Sequence, residues 1–272
     1  METSWTAGSQ WSRHAGGAPS GVERLPGIAK PSRSRVAGWT ELDGRDVRVS
    51  EAEVSARGGP VLLLNGLFST GRTLRVLRRR LRRDGHHVFS VRPDGLAGRF
   101  NTGRVEVLAR MVAARVEALY RLQPRLAPLT VVGHSKGGLV AAYWVKRLGG
   151  HRFVRTVVTL GTPHQGSPMA WLALPVAPLA PAILQLVSRS AFVRRLREGA
   201  WPAHVSLVSM FSRRDRLVPY PHALVDRDFD PQVRNIEVES SHAEFLVKRH
   251  VYDALRVAIG DEATAPAAGV AA

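Results

Sequence analysis

Apolar runs and helical apolar stripes alternate along most of this 272-residue chain. The stretch PVLLLNGLF (60–68) opens with a continuous apolar run, which is typical of a strand buried on both faces. In RTLRVLRRRLRR (72–83), Leu74, Leu77 and Leu81 fall on one face of a helix. This alternation of strand and helix patterns predicts an α/β fold with a mostly parallel central sheet flanked by helices.

The same patterns continue towards the C-terminus. Further strands are predicted in HHVFSVR, LTVVGHS, FVRTVVTLGTP, AHVSLVSMFS and VRNIEVES, and further helices in RVEVLARMVAARVEALYRL, KGGLVAAYWVKRL and AEFLVKRHVYDALRVAI. The Asp43-Gly44 pair between VAGWTEL and DVRVSEA predicts an early hairpin. Residues 1–36 and 261–272 lack such periodicity, so they are predicted to be flexible tails around one domain at 37–260.

Residues 166–188 form a long run without a charged side chain. Its length reaches the threshold for a membrane-spanning helix, but Pro168, Pro175, Pro178 and Pro181 would interrupt a helix there. One interpretation is a cap or lid over an apolar pocket, extending over 166–195. A pair of ordinary core helices joined by a proline-rich loop explains the pattern equally well.

Composition and charge narrow the classes of function. There is no cysteine, which excludes disulfides, thiolate metal sites and a cysteine nucleophile. The net charge of +17 comes mostly from arginines spread along the chain, and no nucleic-acid-binding motif accompanies them, so no nucleic-acid partner is expected. The arginines of 72–83 suggest contact with an anionic membrane surface, although a solvated basic face is favoured. The N-terminus has no apolar signal region, which predicts a cytoplasmic location.

The stretch TVVGHSKGGLVAA (Thr130 to Ala142) carries the first sign of chemistry. Gly133, Ser135 and Gly137 match G-x-S-x-G, a pattern typical of a tight turn from a strand into a helix that exposes a serine nucleophile. The strand pattern before it and the helix pattern after it are the expected context. The alternative is an ordinary turn in which the serine only caps the helix.

A serine nucleophile needs a histidine base and an acid that orients the histidine. Asp215 follows the apolar strand pattern ending at Ser212, and Glu239 is its main rival, with Asp228 and Asp230 behind it. Of the ten histidines, only His242 lies between the last strand and the last helix. These positions predict Asp215 as the acid and His242 as the base. His164 ends another strand and is expected near the site.

The oxyanion of such a reaction needs two backbone N–H donors. The amide of Lys136, directly after the serine, is the first, and the amide of Leu67 is the preferred second, ahead of that of Phe68. A simple turn at Asn65-Gly66 is the alternative. The side chains predicted to contact substrate are those of Phe68, His134, Trp171 and Leu174.

These motifs resemble those of the α/β-hydrolase superfamily, in particular its bacterial lipases and esterases of the triacylglycerol-lipase type. VVGHSKGGLVA is similar to the nucleophile turn, SRRDRLVP to the acid loop, ESSHAEFL to the histidine loop and TLGTPHQGS to the segment before the lid. The resemblance covers about residues 58–258. The chain departs from it at Asn65-Gly66, where those lipases usually carry His-Gly, and at the charged Lys136, whose side chain is expected near the pocket mouth.

The resemblance implies an α/β-hydrolase fold and a serine carboxylic ester hydrolase acting on an acyl ester or lipid, without cofactor or metal. Its implied triad is Ser135, Asp215 and His242, in the family's order. Two alternatives remain open: an acyltransferase or thioesterase with the same triad, and a catalytically silent hydrolase fold that acts as a binding module.

Overall fold

A parallel sheet lies at the centre of the residues that the structure describes. This computed structural model describes residues 40–42, 58–70, 72–91, 101–225 and 232–260. For residues 40–42, only the backbone is described. Its seven strands are β1 (Thr40–Leu42), β2 (Pro60–Leu64), β3 (His87–Val91), β4 (Leu129–His134), β5 (Val154–Leu160), β6 (Ser206–Phe211) and β7 (Val233–Glu237). They are ordered β1-β3-β2-β4-β5-β6-β7, and each neighbouring pair is parallel. The predicted α/β class is confirmed.

The helices cover both faces of this sheet. They are α1 (Arg75–Arg83), α2 (Val105–Leu122), α3 (Lys136–Arg147), α4 (Ile183–Leu186), α5 (Ala191–Arg197), α6 (Tyr220–Ala223) and α7 (Arg249–Ala258). Short 3₁₀ turns lie at Gly150–Arg152, Pro168–Trp171, Leu174–Val176 and Glu244–Leu246. Of these elements, α5 and α6 were not predicted from the sequence. The signal for α5 is present, since Ser190 Oγ caps the amide of Val193 at 3.2 Å.

Alternation of side chains along β2 explains why its sequence is apolar without a break. Leu62 and Leu64 belong to the core cluster that contains residues of α2 and α3, whereas Val61 and Leu63 belong to the cluster that contains residues of α1 and α7. Both faces of the strand are therefore buried, and each position needs an apolar side chain.

Helix α1 has the predicted amphipathic form. Leu74, Leu77 and Leu81 are buried, and the arginines between them lie towards solvent. One of them, Arg80, also donates from Nη1 to the carbonyl of Lys248 at 3.0 Å, so part of this basic face is engaged with the chain before α7. Contact between the arginine face and an anionic membrane stays a prediction.

Near the two ends of the chain, the described structure differs in part from the predictions. The last helix begins at Arg249 and not at Ala243, because a separate 3₁₀ turn at Glu244–Leu246 is followed by an extended Lys248 with ψ 139°. Strand β1 pairs in parallel with β3, while the second arm of the early hairpin lies outside the described residues. The tails at 1–36 and 261–272 also lie outside them and stay predictions.

The uncharged segment 166–188 folds back on itself. Its ends are joined where the amide of Ser167 donates to the carbonyl of Leu186 at 2.7 Å. The prolines leave only 3₁₀ turns and the four-residue helix α4 between these ends, as their missing amide donors require. Across the described ranges, the structure contains no helix that is both long and apolar enough to cross a bilayer.

Candidate active site

The predicted triad residues follow three different strands and lie at one edge of the sheet. Ser135 follows the last residue of β4, Asp215 lies in the turn after β6, and His242 lies in the loop after β7. Because the strands are parallel, all three carboxyl ends meet at this edge, where open α/β sheets bind their ligands. The loop that carries His242 reaches back across β5 and β6 towards Ser135.

Ser135 has a strained backbone. Its φ of 54° and ψ of −124° lie outside the regions that residues with a Cβ atom normally occupy. Two donors hold its carbonyl oxygen, namely Thr162 Oγ1 at 2.9 Å and the amide of Gly138 at 3.0 Å. Gly137 is required by packing, because a Cβ there would lie 2.3 Å from the carbonyl oxygen of Leu64. The sequence pattern G-x-S-x-G therefore forms the strained turn that it predicts.

Asp215 and His242 are paired. Asp215 Oδ2 lies 2.7 Å from His242 Nδ1, and Asp215 is almost completely buried. The other carboxylate oxygen, Oδ1, accepts the amides of Leu217 and Val218, each at 2.9 Å. The carboxylate has no proton of its own to give, so His242 carries its proton on Nδ1 and leaves Nε2 as an acceptor.

Ser135 and His242 lie at the same edge of the sheet without a direct hydrogen bond between their side chains. Within the described residues, no hydrogen bond joins Ser135 Oγ to the ring of His242. Such bonds are often long in enzymes without substrate. The two residues are linked through His134, which precedes Ser135 and whose ring centroid lies 4.9 Å from that of His242.

His134 supports the histidine loop. Its Nε2 lies 3.0 Å from the carbonyl oxygen of His242, so that nitrogen carries the proton and donates. Burial, together with the charge of a protonated His242, lowers the pKa of His134 to about 4. The ring was predicted to contact substrate, but in this structure its visible partner is the loop of His242.

The predicted oxyanion loop lies directly against the serine turn. A Cβ on Gly66 would lie 3.0 Å from Ser135 Cβ, so this loop packs closely against the serine and a larger residue at position 66 would crowd it. The amide of Phe68 donates to the carbonyl of Asn101 at 3.3 Å and is therefore occupied. This leaves the amide of Leu67 as the better candidate of the two.

The expectation for the Lys136 side chain is wrong. It is fully buried and does not lie at a pocket mouth. Its Nζ donates to the carbonyls of Asn101 and Gly103, both at 2.9 Å. Burial lowers the pKa of Lys136 to about 7.

The rival acids and the second strand-end histidine occupy other places. Glu239 is largely exposed and forms an ion pair with Arg214. Asp228 and Asp230 lie outside the described residues. His164 is buried, its Nε2 lies 2.9 Å from Thr159 Oγ1, and burial lowers its pKa to about 3. In the described part of the chain, Asp215 is thus the only one of the candidate acids paired with His242.

The segment 166–188 lies beside the oxyanion loop. Ala177, Ala180 and Ile183 form a small apolar cluster to which Leu67 and Leu174 pack. Trp171 is 58% exposed, so it does not belong to a core as the segment now lies. Ser167 Oγ donates to the carbonyl of Leu217 at 2.7 Å and so ties the segment to the acid loop.

A cleft of about 630 Å³ opens beside His242. Its lining combines the histidine loop with the acid loop: Arg213, Arg214, Arg216, Leu217, Ser241, His242 and Ala243. Three arginines give the cleft a basic wall, although Arg213 and Arg214 are each paired with a glutamate. Within the described ranges, no group of three His, Asp or Glu side chains is arranged to hold a metal ion.

Two residues that hold the loops together were missed from the sequence. Ser212 Oγ accepts the amide of Ser240 at 3.0 Å and the amide of Arg214 at 3.1 Å, which joins the acid loop to the histidine loop. Asn101 contacts the oxyanion loop, with its Nδ2 donating to the carbonyl of Asn65 at 2.7 Å. Neither loop-to-loop contact could be predicted from a local pattern, since Ser240 lies 28 residues from Ser212 and Asn65 lies 36 residues from Asn101 along the chain.

Comparisons with known proteins agree with this architecture. Residues 55–173 match the model of the PGAP1-like alpha/beta domain. The structure is similar to Bacillus licheniformis lipase BlEst2 in mature form, with a TM-score of 0.60 and 15% identity over 73% of this chain and 90% of that one. It is also similar to a monoacylglycerol lipase of Paleococcus ferrophilus, with a TM-score of 0.55 and 17% identity over 74% of this chain and 92% of that one. No curated protein sequence matches the chain.

The parallel sheet, the strained turn at Ser135 and these likenesses together define the α/β-hydrolase fold. The α/β-hydrolase fold that the sequence motifs predicted is therefore confirmed.

The buried histidines predict a loss of stability in mild acid. His134 and His164 stay neutral in the folded protein down to about pH 4 and 3, whereas in the unfolded chain both bind protons below about 6.5. The unfolded state therefore binds more protons in this window, and the free energy of unfolding should fall as pH drops from 6.5 towards 4. Urea unfolding at pH 7 and pH 5 measures the fall.

His164→Gln keeps a polar group near Thr159 Oγ1 but removes one titrating ring. The free energy of unfolding of this variant should therefore fall less between pH 7 and pH 5 than that of the native chain. His204→Gln, at an exposed histidine, is the matched control and should keep the native loss. Equal losses in all three proteins would contradict the assignment to buried histidines.

Proposed function

We propose that this chain is a serine hydrolase that cleaves carboxylic esters. Ser135 is the nucleophile, His242 the general base and acid, and Asp215 the residue that orients His242. The amides of Leu67 and Lys136 form the oxyanion hole. The observation that carries the proposal is the 2.7 Å contact of Asp215 with His242 at the same sheet edge as the strained Ser135.

The chemistry runs through an acyl-enzyme. Ser135 Oγ attacks the ester carbonyl as His242 Nε2 takes its proton, and the two amides stabilise the negative oxygen of the tetrahedral intermediate. The C–O bond to the alcohol then breaks, and His242 returns the proton to the leaving oxygen. Water then attacks the acyl carbon as His242 Nε2 takes its proton. The bond from Ser135 Oγ to the acyl carbon breaks, Oγ receives the proton from His242, and the carboxylic acid leaves.

The apolar segment 166–188 favours an acyl ester or lipid as substrate. Leu174 and Leu67 of the proposed oxyanion loop pack against the same apolar cluster, so the segment lies next to the loop proposed to bind the reacting carbonyl. We therefore assign the segment as a cap that binds the acyl chain of the substrate. Trp171, Leu174 and Phe68 are the side chains assigned to contact that acyl chain. A cytoplasmic location and contact with anionic membranes stay predictions from the sequence.

Replacing the nucleophile should abolish hydrolysis but not folding. Ser135→Ala is expected to lower kcat for p-nitrophenyl esters by about four to six orders of magnitude, as losses in other triads do. It should also abolish covalent labelling by a fluorophosphonate. Ser206→Ala, at a half-buried serine at the start of β6 and away from the proposed site, is the control and should keep both. Full activity in a folded Ser135→Ala protein would contradict the proposal.

The acid assignment predicts a sharp difference between two carboxylates. In Asp215→Asn, the amides of Leu217 and Val218 should hold the amide oxygen, which turns the NH₂ group towards His242 Nδ1. His242 would then carry its proton on Nε2 and could not accept one from Ser135. We expect kcat to fall by about 10⁴ in Asp215→Asn.

Glu239→Gln removes only an exposed ion pair, so it should change kcat less than about threefold. Steady-state kinetics of the two folded variants compare them directly. A larger loss in Glu239→Gln than in Asp215→Asn would assign the acid to Glu239.

The cap assignment predicts dependence on acyl chain length. Leu174→Ala and Trp171→Ala should lower kcat/KM for octanoate or longer p-nitrophenyl esters by roughly 10-fold or more, since each removes apolar contact area. Acetate hydrolysis should change little. Leu122→Ala, an exposed leucine at the end of α2 on the opposite edge of the sheet, is the control. An equal loss on every chain length would contradict the cap.

A further inference from the structure

The side chain of Lys136 joins two parts of the proposed site that are distant in sequence. Its backbone belongs to the first turn of α3, directly after Ser135. Its side chain is fully buried, and Nζ donates to the carbonyls of Asn101 and Gly103 at 2.9 Å each. A primary amine is costly to bury, so its place inside the protein needs these acceptors.

Asn101 in turn contacts the oxyanion loop at three points. Its Nδ2 donates to the carbonyl of Asn65 at 2.7 Å, and its carbonyl accepts the amide of Phe68 at 3.3 Å. Its own amide donates to the carbonyl of Ser69 at 3.3 Å. The contacts flank Leu67 on both sides, and the carbonyl of Asn101 is shared between Phe68 and Lys136.

We propose that Lys136 is a positioning residue that sets the distance between the two halves of the oxyanion hole. Its amide is one of the two donors, while its side chain acts through Asn101 to hold the loop that carries the other donor, Leu67. The inference rests on the proposed function. It assigns a role to the side chain of Lys136, beyond the backbone amide that any residue there would supply.

The geometry explains why an apolar side chain at position 136 would not hold the oxyanion loop in place. Gly66 already packs the loop closely against Ser135, so steric contact opposes a shorter separation but not a longer one. The carbonyls held by Nζ restrain the loop from moving away. Oxyanion donors stabilise the transition state only when they are held at the oxyanion position, and small displacements cost catalysis strongly.

Lys136→Met tests the role, because methionine keeps the length of the side chain but donates no hydrogen bond. We expect kcat for a p-nitrophenyl ester to fall roughly 10- to 100-fold with KM changed less than about threefold. Inhibition by an alkyl trifluoromethyl ketone, which forms a tetrahedral adduct on the serine, should weaken by a similar factor. The corresponding non-fluorinated ketone should bind as before.

Lys146→Met is the matched control. Lys146 lies on the same helix, and its Nζ also donates to two carbonyls, those of Arg197 at 3.4 Å and Gly199 at 2.7 Å. These contacts are on the far end of α3 from Ser135, so the variant should keep native kcat and native inhibition. An equal effect of both variants would reduce Lys136 to a general structural residue and overturn the inference.

Asn101→Ala is a second variant that tests this role and leaves Lys136 in place. It removes the bond to the carbonyl of Asn65, and should lower kcat in the same way as Lys136→Met. Because the two residues act in series, the double variant should lose little more than the worse single variant. Multiplied losses in the double variant would show independent roles and contradict the inference.

Amide hydrogen exchange separates this inference from the proposed function. In Lys136→Met and Asn101→Ala, peptides covering 64–70 should exchange faster, while peptides from α7 keep the native rate. If the native protein neither hydrolyses esters nor reacts with a fluorophosphonate, the proposed function fails, whatever the exchange shows. If it does both and exchange over 64–70 stays native in both variants, only the role of Lys136 fails.

Discussion

The backbone of Ser135 is the constraint on which the rest of this site depends. A residue with a Cβ atom is held at φ 54°, a conformation that the chain would leave if its surroundings allowed it. Thr162 and Gly138 hold its carbonyl oxygen, and the glycine at 137 lets α3 start against the backbone of β2. This strained turn places Ser135 between the last residue of β4 and the first residue of α3, at the carboxyl edge of the sheet.

Buried polar groups then connect the loops around this serine. Asp215 gives both carboxylate oxygens to partners, and Ser212 joins the acid loop to the histidine loop. His134 binds the carbonyl of His242 from the other side. Each loop is therefore positioned by polar contacts with another loop. Buried networks of this kind specify one geometry, because an unmade bond inside the protein is costly.

Much of the fold was predictable because it follows from periodicity. The continuous apolar run of β2, the β-branched residues of β4 and the leucine stripe of α1 reflect burial that their own sequences dictate. The order of Ser135, Asp215 and His242 was predictable for a similar reason, since each follows a strand and parallel strands end at one edge. Helix α5 was missed although its cap at Ser190 is visible in the sequence.

The sequence by itself determined the strands, most helices and the three residues of the candidate triad, because these depend on local patterns and on the direction of parallel strands. The tertiary structure alone decided that Glu239 pairs with Arg214, that Lys136 points inward to Asn101, and that the segment 166–188 folds back towards Leu67. These contacts join residues far apart in the chain. Their partners are selected by the three-dimensional packing of loops, which no local pattern of hydrophobic and polar residues records.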